Sequence, residues 1–364
     1  RKGRIMTTTL TPPSRIHGSA PVSREPASSS SVTKVHAASK LRSLLSMREL
    51  PVIAALIALV LLTWVMNPRF LSAQGVRDLF LNATIAMLMA AGQSLIIQSE
   101  GVDLSVGSIL GCTAFATGFL FAANPGLPIV VVFIAGIILG ALLGALNGLL
   151  VTQAKVPAMV ITLGTLYVFR GGLNWWAGST QYFAGDRPQA FGDLGVATIG
   201  GFPLLTLLAV IVIVIVSLYQ RYARSGRDLY AIGSDRTAAA VYGIPVAKRV
   251  FMAFVVNGAL VGLGGLYASR FNSVGATTGA GMELDIVAAC VVGGVAMTGG
   301  VGTAYGAAIG ALLLTTMTSA LTAVGVDKFW QKAVVGALIL IAIVVDRVSS
   351  MRRHEALRKK GADR

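Results

Sequence analysis

Charge is what this chain lacks over most of its length. Only 12% of its 364 residues are Asp, Glu, Lys or Arg, while 55% are hydrophobic; soluble domains carry roughly 25% charged residues. Mean hydropathy is +0.75, so lipid is the expected solvent for most of the chain. Histidine is nearly missing as well. His17, His36 and His354 all lie in the terminal stretches, which leaves no metal site to expect inside a membrane. The two cysteines, Cys112 and Cys290, fall in apolar runs without a C-x-x-C, and they read as small buried residues rather than a disulfide framework. No Lys follows a Gly anywhere, so the chain has no P-loop with which to bind ATP. There is no Ser/His/Asp set, no H-E-x-x-H and no pair of acids within the apolar runs. No catalytic residue is assigned, and a membrane-embedded enzyme or scaffold finds no support.

The net charge of +15 sits in particular places. About 16 of the 30 Lys+Arg lie in Arg1–Arg48 and Arg347–Arg364, and six more in Arg221–Arg249. That distribution reports membrane orientation, and nucleic acid is not expected as a partner.

A spanning helix needs about 20 mostly apolar residues. The sequence predicts an all-α, polytopic membrane protein with about ten spans: 48–66, 79–99, 104–123, 127–151, 157–176, 203–220, 248–269, 284–299, 303–323 and 331–346. The third and eighth are Gly-rich with polar starts. Either could be a broken or re-entrant helix, which is tolerated only where protein or a water-filled cavity surrounds it. Residues 1–47 read as a disordered, basic, Ser/Pro-rich tail. A permease-like membrane domain over 48–347 contains the loop 221–249, and a basic tail follows at 348–364. The first apolar run has no cleavage pattern and is expected to be retained as a span. With both termini cytoplasmic, inner segments hold about 23 basic residues and outer ones six: Arg69, Arg77, Arg187, Arg270, Lys328 and Lys332. That asymmetry obeys the inside-positive rule.

The 42 glycines are spaced with purpose. Gly136, Gly140, Gly144 and Gly148 repeat at i+4 along the fourth span, a row expected to let another helix approach closely. Ion-coupled carriers usually place acids or His within spans; here the predicted interiors hold none, and Arg170 is the one basic exception. Arg170 is expected to pair with backbone carbonyls or a helix end. Uncharged polar groups offer a route instead: Asn82, Gln93, Asn147, Asn174 and Asn257, with Trp175 beside them. Such groups suit a neutral polyhydroxylated solute, though each alone also serves as glue between helices. The chain reads as a pathway without an engine. Its energy comes from a partner, or it is a facilitator; an ion-coupled secondary carrier is the alternative.

Between the sixth and seventh spans runs "GSDRTAAAVYGIP". Ser234 is a good N-cap, Asp235 suits the positive helix start, Gly243 fits the left-handed C′ position, and Pro245 stops continuation. The helix expected between them is about eight residues, or ~12 Å, with Ala238, Ala239 and Ala240 as a small-residue surface. It either docks in a groove of a soluble subunit or lies on the membrane surface.

Here the residues carry a resemblance. "SGRDLYAIGSDRTAAAVYGIPV" is similar to the cytoplasmic loop of permease subunits of ribose-type ATP-binding-cassette sugar importers. "GVDLSVGSILG", "VPAMVITLGTLYVFRG" and "ELDIVAACVVGGVAMTGGVGTAYGAAIGA" resemble three further motifs of that family in the same order. The likeness covers about residues 50–347, and the second of these motifs resembles rhamnose and autoinducer-2 permeases as much as ribose ones. The long N-terminal tail departs from the usual pattern. The resemblance implies an importer subunit in the bacterial inner (plasma) membrane, with no cofactor of its own. Two permease chains would pair, ATPase subunits carrying ATP and Mg would bind below, and a periplasmic or lipid-anchored sugar-binding protein would dock above. The coupling element would fall on Gly233 to Pro245.

Overall fold

The computed structural model describes residues 50–337 and Leu340, apart from Lys155, Asn272 and Lys328. Both predicted tails and half of the tenth predicted span lie outside the described residues. The rest is helical. In chain order the elements are α1 (Leu50–Met66), a short 3-10 turn (Pro68–Leu71), α2 (Ala73–Gln98), α3 (Val106–Ala123), α4 (Ile129–Ala154) and α5 (Ala158–Ala177). A second 3-10 turn (Ala184–Asp186), α6 (Gln189–Val196) and a two-stranded antiparallel ribbon, β1 (Thr198–Ile199) with β2 (Phe202–Pro203), lead to α7 (Leu204–Tyr222). Then come α8 (Arg224–Ser234), α9 (Arg236–Val241), α10 (Val246–Phe271), α11 (Met282–Val292) and α12 (Ala304–Ala323).

The helix starts are written in the sequence. Pro128, Pro157, Pro188, Pro203 and Pro245 stand immediately before α4, α5, α6, α7 and α10. Proline is harmless there because the first turn has no acceptor for its missing N–H, and its fixed φ suits the helix. Elsewhere side chains cap: Ser72 accepts from Gly75 N at the start of α2 and Thr303 from Gly306 N at the start of α12, each at 3.1 Å.

Among the described residues, six helices are long and apolar enough to cross a membrane: α2, α3, α4, α7, α10 and α12. α1 is apolar and 17 residues long. Large apolar side chains point outward from the long helices. Val131, Ile134, Ile138, Leu142 and Leu146 do so on α4, and Leu208, Ile211, Ile215 and Leu218 on α7. In water such faces would be a liability; in lipid they are the solvated surface.

The eighth predicted span takes a different form. α11 has 11 residues and ends at Val292, long enough for only about 16 Å of rise. Residues 293–303 then turn without helix, through Gly294, Gly299, Gly300 and Gly302 at φ of 87°, 81°, 70° and 118°. L-residues with side chains avoid those conformations. The eighth segment is therefore a half-helix and a partly buried loop, exposed at Met297 and Thr298, and only α12 behind it is long enough to span.

α4 and α10 make the most extensive helix contact in the fold, and it is built from glycine. Gly140 and Gly144 face Gly258, Gly262 and Phe254, and a Cβ on either would run into a backbone carbonyl, that of Gly258 or of Phe254. Gly136 abuts Leu266, and Gly148 abuts Phe251 and Phe254. Lipid gives no hydrophobic reason for two helices to associate, so close backbone packing must supply it. Gly140→Leu and Gly144→Leu are accordingly expected to cut the folded, monodisperse yield in detergent severalfold. Gly126→Ala, with open space around it, should leave the yield alone. Size-exclusion profiles matching wild type for both leucine variants would contradict the contact.

Candidate functional site

Non-helical backbone between helices has to be satisfied by something, and two buried polar clusters do this. The first surrounds Asp103 in the 99–105 connection between α2 and α3. Asp103 is fully buried. Its Oδ1 accepts from Ser105 N (2.8 Å) and Ser105 Oγ (2.7 Å), and its Oδ2 accepts from Asn257 Nδ2 on α10 (3.0 Å). Asn147 on α4 donates to Ser105 Oγ at 2.7 Å. One carboxylate thus joins the start of α3 to the α4–α10 pair. No Lys or Arg pairs with it among the described residues. Thr162 on α5 closes the other side, donating to Val102 O (3.0 Å) and accepting from Leu104 N (3.1 Å).

The second cluster ties the loop after α11 to three helices. Gln98, the last residue of α2, donates through Nε2 to Gly302 O (2.9 Å) and Tyr230 OH (3.2 Å). Tyr230 on α8 donates its OH to the same carbonyl at 2.8 Å. Gln220 on α7 donates to Ser94 Oγ and Gln98 Oε1, both at 3.1 Å. Its Oε1 accepts from Ala304 N, the first N–H of α12, at 2.8 Å. Gly300 N donates to Gln98 O at 3.0 Å. Gly233 is pressed against the same strip: a Cβ there would collide with Gln98 O and Gly300 N.

A third region sits where α5 meets the 273–281 segment. Arg170 is half-buried, and its Nη1 donates to the carbonyls of Ala276 (3.0 Å) and Thr278 (2.8 Å). Tyr182 and Val274 exchange two backbone bonds of 3.0 Å. Phe115, Trp176 and Tyr182 cluster beside them, with Phe115 5.0 Å and 5.1 Å from the other two rings.

The predicted pathway residues separate accordingly. Asn147 and Asn257 meet at Asp103. Gln93 is buried with neither amide atom bonded, and the amide oxygens of Asn147 and Asn257 are likewise unpartnered. Asn82 is exposed on α2. Asn174 is exposed at the end of α5, its amide nitrogen placed to donate to Ala276 O (3.2 Å) and Arg170 O (3.3 Å). Trp175 is 88% exposed. Asp103 was missed because it lies one residue outside a predicted span, so that the absence of acids from the predicted interiors still leaves one buried between two of them. Gln98 and Gln220 were missed because they stand at the ends of apolar helices, and Tyr230 because it lies in the polar loop 221–249.

The segment Gly233–Pro245 also departs in detail. Residues 224–234 are helical, so Ser234 closes α8, its Oγ donating to Tyr230 O at 2.9 Å. Asp235 is the N-cap of α9, accepting from Ala238 N at 2.9 Å. α9 has six residues rather than about eight. Gly243 has φ 79°, the left-handed cap. Ala239 is only 4% exposed and packs inward, whereas Val241 and Tyr242 are 82% and 86% exposed. Arg249 Nε donates to Asp228 Oδ2 at 2.8 Å, fastening α8 to the start of α10.

These features define a multi-pass helical membrane protein whose polar interior holds backbone and helices in place without catalytic equipment. Comparison with known proteins makes it a transport component rather than an enzyme. The family described as "Branched-chain amino acid transport system / permease component" matches residues 75–343. The chain belongs to that family and is the permease component of an ATP-binding-cassette importer. It is similar to the autoinducer 2 import system permease protein LsrC of Enterobacter sp. (strain 638), 34% identical over 322 residues, 87% of this chain and 93% of that one. LsrC of Escherichia coli (strain K12 / DH10B) is 32% identical over 300 residues, covering 82% and 86%. LsrC of Salmonella paratyphi B is 32% identical over 305 residues, covering 82% and 86%. No solved structure matches.

Asp103→Ala removes the acceptor from the Ser105 backbone N–H, the Ser105 hydroxyl and the Asn257 amide. Each buried donor left unsatisfied costs about 1–3 kcal/mol. The expected outcome is a thermal midpoint in detergent several degrees below wild type, with Asp103→Asn intermediate. A midpoint unchanged in Asp103→Ala would mean the cluster bears no load.

Proposed function

We propose that the chain forms the conduit for a monosaccharide or similar small polyhydroxylated solute across the bacterial inner membrane, driven by ATP hydrolysis on separate ATPase subunits that hold ATP and Mg. The observation that carries the coupling part is the exposed apolar pair Val241–Tyr242 on α9. It lies amid exposed Arg221, Arg224, Arg227, Arg236 and Lys248. A six-residue helix capped at both ends, presenting a tyrosine and a valine where the neighbouring surface is basic, suits a groove on a soluble protein. The docking element is Gly233–Pro245, with Ala240, Val241 and Tyr242 as its contact face. Ser234, Asp235, Ala238, Gly243 and Pro245 shape the helix, while Ala239 anchors it inward.

The solute class rests on the uncharged polar groups and on the printed names of the relatives. Two supports favour pairing with a second permease chain through α5. That helix is 20 residues long yet falls short of the apolarity of the six candidate spans. Its outward face mixes exposed Tyr167, Val168 and Trp175 with Gly164, Gly171 and Gly172, which have open space beside them. Asn174 and Trp175 then line the route between the two chains, with Gln93, Asn147 and Asn257 supporting its wall from within. A periplasmic or lipid-anchored sugar-binding protein delivers the solute from outside. Ten spans with both termini cytoplasmic follow from the basic residues, the half-helix α11 counting with its loop as one of them. Tyr242→Cys should resist an impermeant thiol reagent in intact cells while Gly126→Cys is labelled. The reverse pattern would invert the orientation.

Tyr242→Glu tests the docking. A carboxylate buried unpaired in a protein contact costs several kcal/mol, a loss of a hundredfold or more in affinity. The expected result is normal membrane insertion with ATPase co-purification lost. Ala239→Glu should instead lower the folded yield, because its carboxylate would enter the chain's own packing. Wild-type ATPase association in Tyr242→Glu would remove α9 from the coupling role.

A further inference from the structure

α11 has two ends in two different places. At its start, Gly279 and Glu283 lie against Gly107 of α3, and Thr278 O beside them takes a bond from Arg170. At its far end the 293–303 loop is joined to α8, the helix immediately before α9. The join is dense. Gly302 O accepts both the Tyr230 hydroxyl and the Gln98 amide. Gly299 and Gly300 are in backbone contact with Gly233 and Ser234, leaving no room for a Cβ at any of the three glycines. Every polar atom of the Gln98 and Gln220 side chains is used. A fully satisfied buried network is stiff, because breaking any one bond strands a partner in a low-dielectric interior. By contrast, α8 passes into α9 through the single extended residue Asp235, φ −159° and ψ 105°, whose side chain caps α9.

We propose that Gln98, Gln220 and Tyr230 are positioning residues for transport. They make α8 and the 293–303 loop one body, so that a displacement of α9 is delivered to α11 and from there to the region around Arg170 and Gly107. The loop glycines at positive φ are the joint about which α11 turns relative to α12. This rests on the reading of α9 as the ATPase-docking helix. A coupling path needs an element with two arrangements that both ends bias, and α11, a short helix packed on α12 through small residues, with Ala289 and Gly293 against Gly306 and Gly310, can slide between two positions.

The test uses spin labels at Arg236→Cys (α9), Thr298→Cys (loop) and Gly126→Cys (α3–α4 connection), taken in pairs, with Cys112 and Cys290 replaced by alanine. The permease is reconstituted with its ATPase subunits, and distance distributions are measured without nucleotide and after trapping with ATP and vanadate. The expected result is that 236 and 298 both shift relative to 126 while the 236–298 distribution stays superimposable. With Tyr230→Phe and Gln98→Leu together, 236 should still shift and 298 should lag, so that the 236–298 distribution moves or broadens. Two results would overturn the link while leaving the docking assignment standing: 298 stationary in the wild type while 236 moves, or 298 following 236 undiminished in the double variant. If 236 itself does not shift with the ATPase bound, the coupling role of α9 fails and the link falls with it. The wild-type comparison decides the matter even if the double variant does not fold.

Discussion

A helix that stops within a membrane protein's interior leaves backbone groups that lipid cannot satisfy, each worth several kcal/mol if left bare. This chain stops helices there at 99–105 and again at 293–303, and its polar interior is arranged around those two interruptions. Asp103, Ser105, Asn147, Asn257 and Thr162 close the first. Gln98, Gln220 and Tyr230 close the second. The polar residues that a sequence reader would assign to a passage for solute are in good part occupied with holding backbone, which is why so few unpaired polar side chains remain inside.

The same constraint explains the glycine. Helices in lipid gain little by burying apolar surface against one another, so α4 and α10 instead bring backbones together along Gly136–Gly148 and Gly258–Gly262. The Asp103 cluster bridges that same pair through Asn147 and Asn257. Close packing fixes the two helices in register, and the hydrogen bonds fix α3 and α5 against them. The resulting block contrasts with α8, α9, the 293–303 loop and α11, which are short, glycine-linked and joined to one another.

Much of the fold was legible because lipid imposes length and apolarity, and because five prolines mark helix starts. α7, for example, spans Leu204–Tyr222 against an expectation of 203–220. α11 was legible in part, since the Gly-rich eighth segment left a broken helix open. Its sequence is nevertheless as apolar as a span, and the glycines that end it at positive φ look the same in sequence as glycines that pack helices. Direction was equally hidden. Asn82 and Trp175 face outward while Asn147 faces inward, and only the positions of neighbouring helices decide that. Ala239 was read as part of a docking surface because an Ala-rich helix has no sequence signal for which side is covered; it is buried, and the exposed side chains are Val241 and Tyr242, two and three residues on. Asp103 escaped notice because a span count passes over the residues between spans.

On the proposed reading, this permease component is a conduit driven by ATP hydrolysis on separate subunits. Uptake into proteoliposomes tests this most directly, using radiolabelled pentose and autoinducer 2 as the two probes. The chain alone under sodium and proton gradients is compared with the chain assembled with its ATPase and binding-protein partners and ATP. The account predicts accumulation of one of the probes only in the assembled, ATP-supplied vesicles. Accumulation by the chain alone under an ion gradient would contradict it.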